Sequence, residues 1–291
     1  MDQLIIKNLS KTYPNGVRAL QDVSLTIPIG MYGLLGPNGA GKSTLMRTLA
    51  TLQEPDQGEL HLGKLDILKE KNALRKVLGY LPQQFGVYPN ASAEVLLNHL
   101  AVLKGITHSR ERKERVDALL HNTNLYPVRK QKLKGFSGGM KQRFGIAQAL
   151  LTDPKLLIVD EPTAGLDPAE RNRFYNILSS VSENTVVILS SHIVDDIKEL
   201  CTEMAIINKG QVLTQGRPLE LIQSIEGKIY KKAIHKNELP AYREAYQVIS
   251  DKLFLGKPVI HIMSDQHPGN GFTEIDANLE DVYFSQFSAL R

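Results

Sequence analysis

Thiol chemistry is almost absent from this chain: its 291 residues hold one cysteine, Cys201. With no second thiol there is no internal disulfide and no cysteine-only metal cage. Such usage fits a reducing compartment. Charge of one sign is scarce too. Lys and Arg number 35 against 31 Asp and Glu, and the resulting +4 is too small a surplus to suggest a nucleic-acid footprint. Long hydrophobic runs are missing as well. The longest, such as Leu156–Val159 and Val186–Leu189, have four residues, whereas a membrane helix needs roughly 18. The opening MDQLIIKNLSK carries Asp2 and a run of only three apolar residues, and is not expected to act as a signal peptide.

What the chain does have is an average globular composition, 42% hydrophobic and 23% charged, which excludes disordered, collagen-like and coiled-coil chains. Its length predicts about two domains. Strand and helix signals alternate, as in an α/β protein with a mostly parallel sheet. Leu4–Leu9, Ser24–Ile29 and Met31–Gly36 read as strands, Lys42–Leu52 as a helix, and Ser92–Leu120 as helix-rich. The Val- and Ile-rich runs Leu156–Val159 and Val186–Leu189 suit strands covered on both faces. Ala205–Asn208 and Gln211–Thr214 flank Lys209-Gly210, a hairpin signal. Beyond residue 225 the texture changes, and 226–291 reads as a small α+β extension. In its last helix Leu279, Val282, Tyr283 and Phe287 form a packing stripe.

Gly36-Pro37-Asn38-Gly39-Ala40-Gly41-Lys42-Ser43-Thr44 fits the phosphate-binding loop pattern, between a strand and a helix. Glycines let successive backbone N–H groups surround phosphate oxygens, and the following helix aims its positive end at them. Lys42 then reaches the β and γ phosphates and the Ser43 hydroxyl ligates Mg²⁺. Downstream, a buried strand ends in Asp160-Glu161. Asp160 is placed to hold the water shell of Mg²⁺, and Glu161 to polarise an attacking water.

The phosphate loop alone does not choose a function. Phe136-Ser137-Gly138-Gly139-Met140, which precedes Asp160, resembles the Leu-Ser-Gly-Gly-Gln signature of the ATP-binding-cassette (ABC) superfamily. The resemblance extends, in family order, over roughly residues 3–225. Tyr13 matches the aromatic residue that stacks on adenine, although an ordinary loop tyrosine reads the same way. Gln83 matches the Q-loop glutamine, another Mg²⁺ contact, Asp167 the D-loop and His192 the switch histidine. Phe136 and Met140 depart from the signature, and the Ser-Gly-Gly amides remain.

The resemblance implies a P-loop NTPase core with a mostly parallel sheet, an antiparallel N-terminal β portion and an inserted helical subdomain at about 86–150. Together these make a nucleotide-binding domain at 1–225, with the extension at 226–291. It implies ATP and Mg²⁺ as ligands, with Glu161, His192 and Gln83 catalytic. Ser137–Met140 of one subunit would meet the ATP of a second subunit, a copy of this chain or a paralogue. A separate multi-span permease would hold the pair at the cytoplasmic face of the membrane. Gly33–Thr44, Ser137–Leu151 and Asn278–Tyr283 most resemble ATPase subunits of drug- and polymer-type exporters. A soluble non-transport ABC ATPase of the iron–sulfur assembly type and a nucleotide-dependent regulatory clamp remain as alternatives. The other seven histidines (His61, His99, His108, His121, His235, His261 and His267) have no ligand-like spacing and read as surface or loop residues. Asp195 and Asp196 suit the first turn of a helix, where carboxylates meet the positive end of the dipole.

Overall fold

A computed structural model describes residues 3–84, 86, 88–163 and 165–288. Asp2, on which the N-terminal reading rests, lies outside them. Packing divides the chain into two units. The first runs through Thr202 and includes Ile207–Val212; the second takes Glu203–Ile206 and the residues from Leu213 onward.

The first unit opens with β1 (Leu4–Thr12), β2 (Arg18–Ile27) and β3 (Gly30–Leu35), followed by α1 (Lys42–Leu49). Helix α1 stops three residues short of the expected Leu52, because Thr51 adopts a left-handed φ of 56°. Next come β4 (Gln57–Leu62), β5 (Leu65–Asp66), α2 (Lys71–Val77) and β6 (Leu78–Leu81). Strands β2, β1, β4 and β5 pair in that order in an antiparallel sheet.

The helical portion comprises α3 (Ala93–Leu103), α4 (Ser109–Asn122) and α5 (Gly138–Ala149). It has its own core, where Leu97, Val116, Leu120, Leu133 and Phe144 are fully buried. Phe136 is buried in that core too, so the bulkier signature residue fills space rather than facing solvent.

Strands β7 (Leu156–Asp160) and β8 (Val186–Ser191), separated by α6 (Pro168–Ser182), are buried at every position. Their continuous apolar sequences are what two covered faces require. In the parallel array β3-β8-β7-β6 the registers set Leu35 against Ser191, Ser190 against Asp160 and Val159 against Leu81. Four strands therefore end level at one edge. The segments leaving that edge are Gly36–Gly41, Asp160-Glu161, His192 and Gln83, which is why residues far apart in sequence meet there. Helix α7 (Val194–Leu200) follows β8, and Cys201 caps it as a buried free thiol. The unit boundary crosses the hairpin of β9 (Glu203–Asn208) and β10 (Gln211–Gly216).

The second unit contains α8 (Pro218–Gln223), β11 (Ile229–Ala233), α9 (Leu239–Ala245), β12 (Val248–Phe254), β13 (Lys257–Met263), β14 (Thr273–Glu274) and α10 (Leu279–Ser288). Its antiparallel sheet has the order β12-β13-β11-β14, over a core of Tyr230, Ile234, Ile260, Ile262 and Phe272. The stripe expected on the last helix is corrected in part. Leu279 and Val282 are buried, but Asp281 and Ser285 share that face, while Tyr283 and Phe287 pack their rings together at 4.7 Å. His261 is also corrected: it lies in β13, half-buried, with Nδ1 2.8 Å from the buried Asp281 carboxylate.

Candidate functional site

The loop between β3 and α1 needs its glycines for different reasons. A Cβ at Gly36 would lie 2.3 Å from the Ile207 carbonyl oxygen, and one at Gly41 2.5 Å from that of Ala19. Backbone presses on both positions. Gly39 has open space around it but adopts a φ of 79°, in the left-handed region that favours glycine. Helix α1 starts at Gly41 without a side-chain cap, so its first-turn amides have no partner within the helix or from a cap. That is the donor set an oxyanion needs. Lys42 is buried, and its Nζ donates to the carbonyls of Gly36 at 2.7 Å and Pro37 at 3.2 Å.

Across from it, β7 delivers two acids. Asp160 is buried and accepts a hydrogen bond from the Ser190 hydroxyl of neighbouring β8. Glu161 turns out of the strand at a φ of 46°, an uncommon conformation for a side chain of its size. Its N–H is held by the Ser190 carbonyl at 3.2 Å and the Ser190 hydroxyl at 3.1 Å. The Glu161 carboxylate then gathers three groups from three other strand ends. Lys42 Nζ lies 3.2 Å from Oε1, while Gln83 Nε2 (3.0 Å) and His192 Nδ1 (3.2 Å) meet Oε2. Lys42 and Glu161 are buried, but Gln83 is exposed and His192 is 43% exposed, so the cluster opens to solvent on one side.

Tyr13 sits in the turn after β1, half-buried. Its hydroxyl lies 3.2 Å from Thr44 Oγ1 and donates to Gln53 Oε1 at 3.2 Å, which holds the ring beside the first turn of α1.

The signature residues open α5. Ser137 caps α5, its hydroxyl accepting from Met140 N at 3.2 Å. Gly138 is unobstructed, whereas a Cβ on Gly139 would lie 2.7 Å from the Glu170 carboxylate. Glu170 belongs to α6, whose N-cap is Asp167, the carboxylate accepting from Glu170 N at 2.8 Å. Arg143 Nε, 3.0 Å from Glu170 Oε2, adds an ion pair between the two helices. Met140 is half-buried against the helical core. Among the described residues no hydrogen bond joins Ser137–Met140 or Asp167 to the Lys42–Glu161 cluster.

Chemically, the arrangement offers backbone amides, one buried ammonium, one carboxylate with its strand-mate, and a half-exposed imidazole. Among the described residues no group of three His, Cys, Asp or Glu is placed to hold a metal by itself. The donors present (the Ser43 hydroxyl, the Gln83 amide and the Asp160 carboxylate) suit a hard cation whose other positions are phosphate oxygens and water, the usual habit of Mg²⁺.

A family model described as "ABC transporter" matches residues 20–164. Daunorubicin/doxorubicin resistance ATP-binding protein DrrA of Streptomyces peucetius is 34% identical over 94% of this chain and 79% of its own length. The chain belongs to the ABC transporter family.

Other comparisons place it within that family. The probable multidrug ABC transporter ATP-binding protein YbhF of Escherichia coli (strain K12) is 34% identical over 94% of this chain. The chain spans about half the length of YbhF, 49%. Phosphonates import ATP-binding protein PhnC of Treponema denticola is 36% identical over 80% of the chain and 95% of its own length. Among solved structures, the dimeric post-hydrolysis state of the ATP-binding cassette MJ0796 bound to ADP and Pi superposes with a TM-score of 0.66 at 26% identity, covering 74% of this chain and 98% of that one. The chain thus has the fold of an ABC ATPase cassette, and no helix among the described residues is long and apolar enough to cross a membrane.

The side chains that reading the sequence missed are the supporting ones. Ser190, Thr163, Glu170 and Arg143 carry no motif signal of their own. Asp196, expected as a helix-end charge, is fully buried.

Proposed function

We propose that this chain hydrolyses ATP as the nucleotide-binding subunit of an ABC transporter, pairing with a second ATPase subunit and driving a separate membrane permease. The observation that carries the reading is the Glu161 carboxylate, which has Lys42, Gln83 and His192 all within 3.2 Å. Each partner answers one need of phosphoryl transfer to water. The amides of Gly39–Thr44 and the Lys42 ammonium bind the β and γ phosphates. A water on the far side of the γ-phosphorus attacks as Glu161 takes its proton, and the bond to the ADP oxygen breaks. His192 holds the γ-phosphate from the solvent side and orients that water. Ser43, Gln83 and, through a water, Asp160 would hold Mg²⁺, which would supply neutralisation of charge on the phosphate oxygens. Tyr13 offers its ring to adenine.

Ser137, Gly138 and Gly139 act on the partner subunit's nucleotide, which agrees with the absence, among the described residues, of any hydrogen bond from them to this chain's own cluster. Asp167, on the helix that Gly139 touches, registers the partner. The permease docks on α3, the helix that follows the Gln83 loop in sequence. That helix exposes Val95, Val102 and Leu103 on one side, and Tyr88 precedes it, also exposed. An exposed apolar strip of this kind is a surface that another protein covers.

Export is the favoured direction. DrrA and YbhF, named for drug resistance and multidrug transport, match over 94% of the chain, whereas the import protein PhnC matches over 80%. The chain then works at the cytoplasmic face of the membrane.

The test is purification of tagged protein from detergent-solubilised native membranes, with partners identified by mass spectrometry and ATPase activity measured with and without Mg²⁺. A stoichiometric multi-span protein and Mg²⁺-dependent turnover are expected. A cytosolic dimer or a complex with a soluble scaffold would contradict the permease.

A further inference from the structure

Asp196 lies in the first turn of α7 and is 0% exposed. Isolated buried carboxylates are costly unless hydrogen bonds replace their water. Here three hydroxyls do so, from three different elements. Thr163 Oγ1 donates to Oδ2 at 2.6 Å, Ser191 Oγ donates to Oδ2 at 2.8 Å, and the Tyr175 hydroxyl of α6 donates to Oδ1. The nearest cation, Arg171 Nη1, lies 4.0 Å from Oδ1.

The position of these donors is informative. Thr163 lies two residues beyond Glu161, and Ser191 immediately precedes His192. The Ser191 hydroxyl also accepts from Ile193 N at 2.9 Å, so one side chain brackets His192 on both sides and is itself tied to Asp196. On the other arm, Glu161 has its N–H fixed to Ser190 and the chain just after it fixed to Asp196 through Thr163. A backbone held at a positive φ persists only where its surroundings over-determine it. Burial and the neighbouring carboxylate raise the Tyr175 phenol well above its ordinary range, so it stays a donor throughout the accessible pH range.

We propose that Asp196 is a positioning residue for ATP hydrolysis: by clamping Thr163 and Ser191 to one carboxylate it sets the approach of His192 to Glu161. It touches neither nucleotide nor water. A buried ionic hub is weak as a device for stability alone, since apolar side chains of similar volume do as well or better. It is suited to fixing geometry, and a misplacement of about 1 Å in a reacting group can cost about a hundredfold in rate. The proposal rests on the ATPase reading of the Glu161 cluster.

The test is Asp196→Asn, which keeps the shape but replaces one acceptor oxygen with a donor, so at least one of the three hydroxyls loses its acceptor. The expected result is a kcat lowered roughly 10- to 100-fold, with the KM for Mg²⁺-ATP within about twofold, because the phosphate loop is untouched. Ser191→Ala carries the same test with less burial at stake, should Asp196→Asn fail to fold, and its expected signature is again in kcat alone. Wild-type kcat per folded molecule in these variants, or a matched rise in KM, overturns the proposal. Labelled imidazole NMR gives a readout independent of turnover: the His192 resonance moves in Asp196→Asn while those of the other seven histidines stay in place. Wild-type protein that does not hydrolyse ATP would overturn the ATPase reading, and the His192 resonance would then decide the clamp by itself. An unmoved resonance refutes it.

Discussion

The two units use a buried carboxylate to different ends. In the second unit Asp281 accepts from Asn278 N, while Asn278 Oδ1 accepts from Glu280 N and Asp281 N, a reciprocal cap at the start of α10. Its other oxygen meets His261. All of these partners belong to one sheet strand and one helix end, and the result is a fixed helix. In the first unit Glu161 and Asp196 draw partners from the ends of separate strands and helices, which on the proposed reading fixes a reaction geometry. The sheets differ in the same way. Strands β7 and β8 are buried at every position, so their loops leave from a rigid edge. The end of strand β12 and the turn after it are exposed, with Leu253, Phe254 and Leu255 at 74%, 68% and 89%. On that reading the chemistry sits where the scaffold is covered on both faces, while the second unit's residues answer to packing and solvent.

That contrast can be broken by experiment. The largest effect is expected from Lys42→Ala, which removes the ammonium between the loop carbonyls and Glu161. ATPase activity should fall by at least about a hundredfold. The unfolding midpoint should fall far less than the activity, because Glu161 keeps Gln83 and His192 as partners. A fall in stability matching the loss of activity would show Lys42 to be structural.

Asp281→Ala should do the reverse. Losing the cap and stranding a half-buried histidine costs about 1–3 kcal/mol of stability, measured by urea unfolding. Turnover per folded molecule should stay unchanged. A catalytic defect in this variant would mean that the second unit acts on the first unit's site.

Alkali should weaken the first unit. Burial raises both the Cys201 thiol and the Tyr175 phenol above their ordinary values. Groups raised on folding contribute fully below their unfolded values, about 8.5 and about 10, and lose that contribution as pH rises past them. Urea midpoints should decline above about pH 9, and alkylation of Cys201 at pH 8 should proceed only as the protein unfolds. Rapid alkylation of the native protein would contradict its burial.

The smallest effect is expected at the exposed end of β12. Leu255→Ser should change stability by no more than about 0.5 kcal/mol and leave ATPase activity intact.

How much was legible depended on distance along the chain. The phosphate loop and the Asp160-Glu161 strand end could be read directly, because all their residues are local and their types follow from phosphate chemistry. Tyr13, Gln83, Asp167 and His192 were legible only through the family resemblance, since a lone Gln or His carries no periodic or spacing signal. Strand β6 escaped because Gly79 reads as a break. Its reason for being glycine, a virtual Cβ 2.5 Å from the Ala149 carbonyl oxygen, exists only in the folded chain. Strand β12 escaped because its exposed outer half, Asp251-Lys252-Leu253-Phe254, does not alternate polar and apolar residues. Asp196 was legible as a helix-end acid and nothing more: Thr163, Tyr175 and Ser191 arrive from other elements, and folding alone brings them to it.

The account stands most directly on Glu161. Purified Glu161→Gln should be assayed for steady-state ATP hydrolysis and, by size exclusion with nucleotide analysis, for bound ATP. The account predicts turnover lowered by at least about a hundredfold together with a stable dimer that retains ATP. Undiminished turnover in this variant would contradict it, because the group that gathers Lys42, Gln83 and His192 would then not be the one that takes the proton.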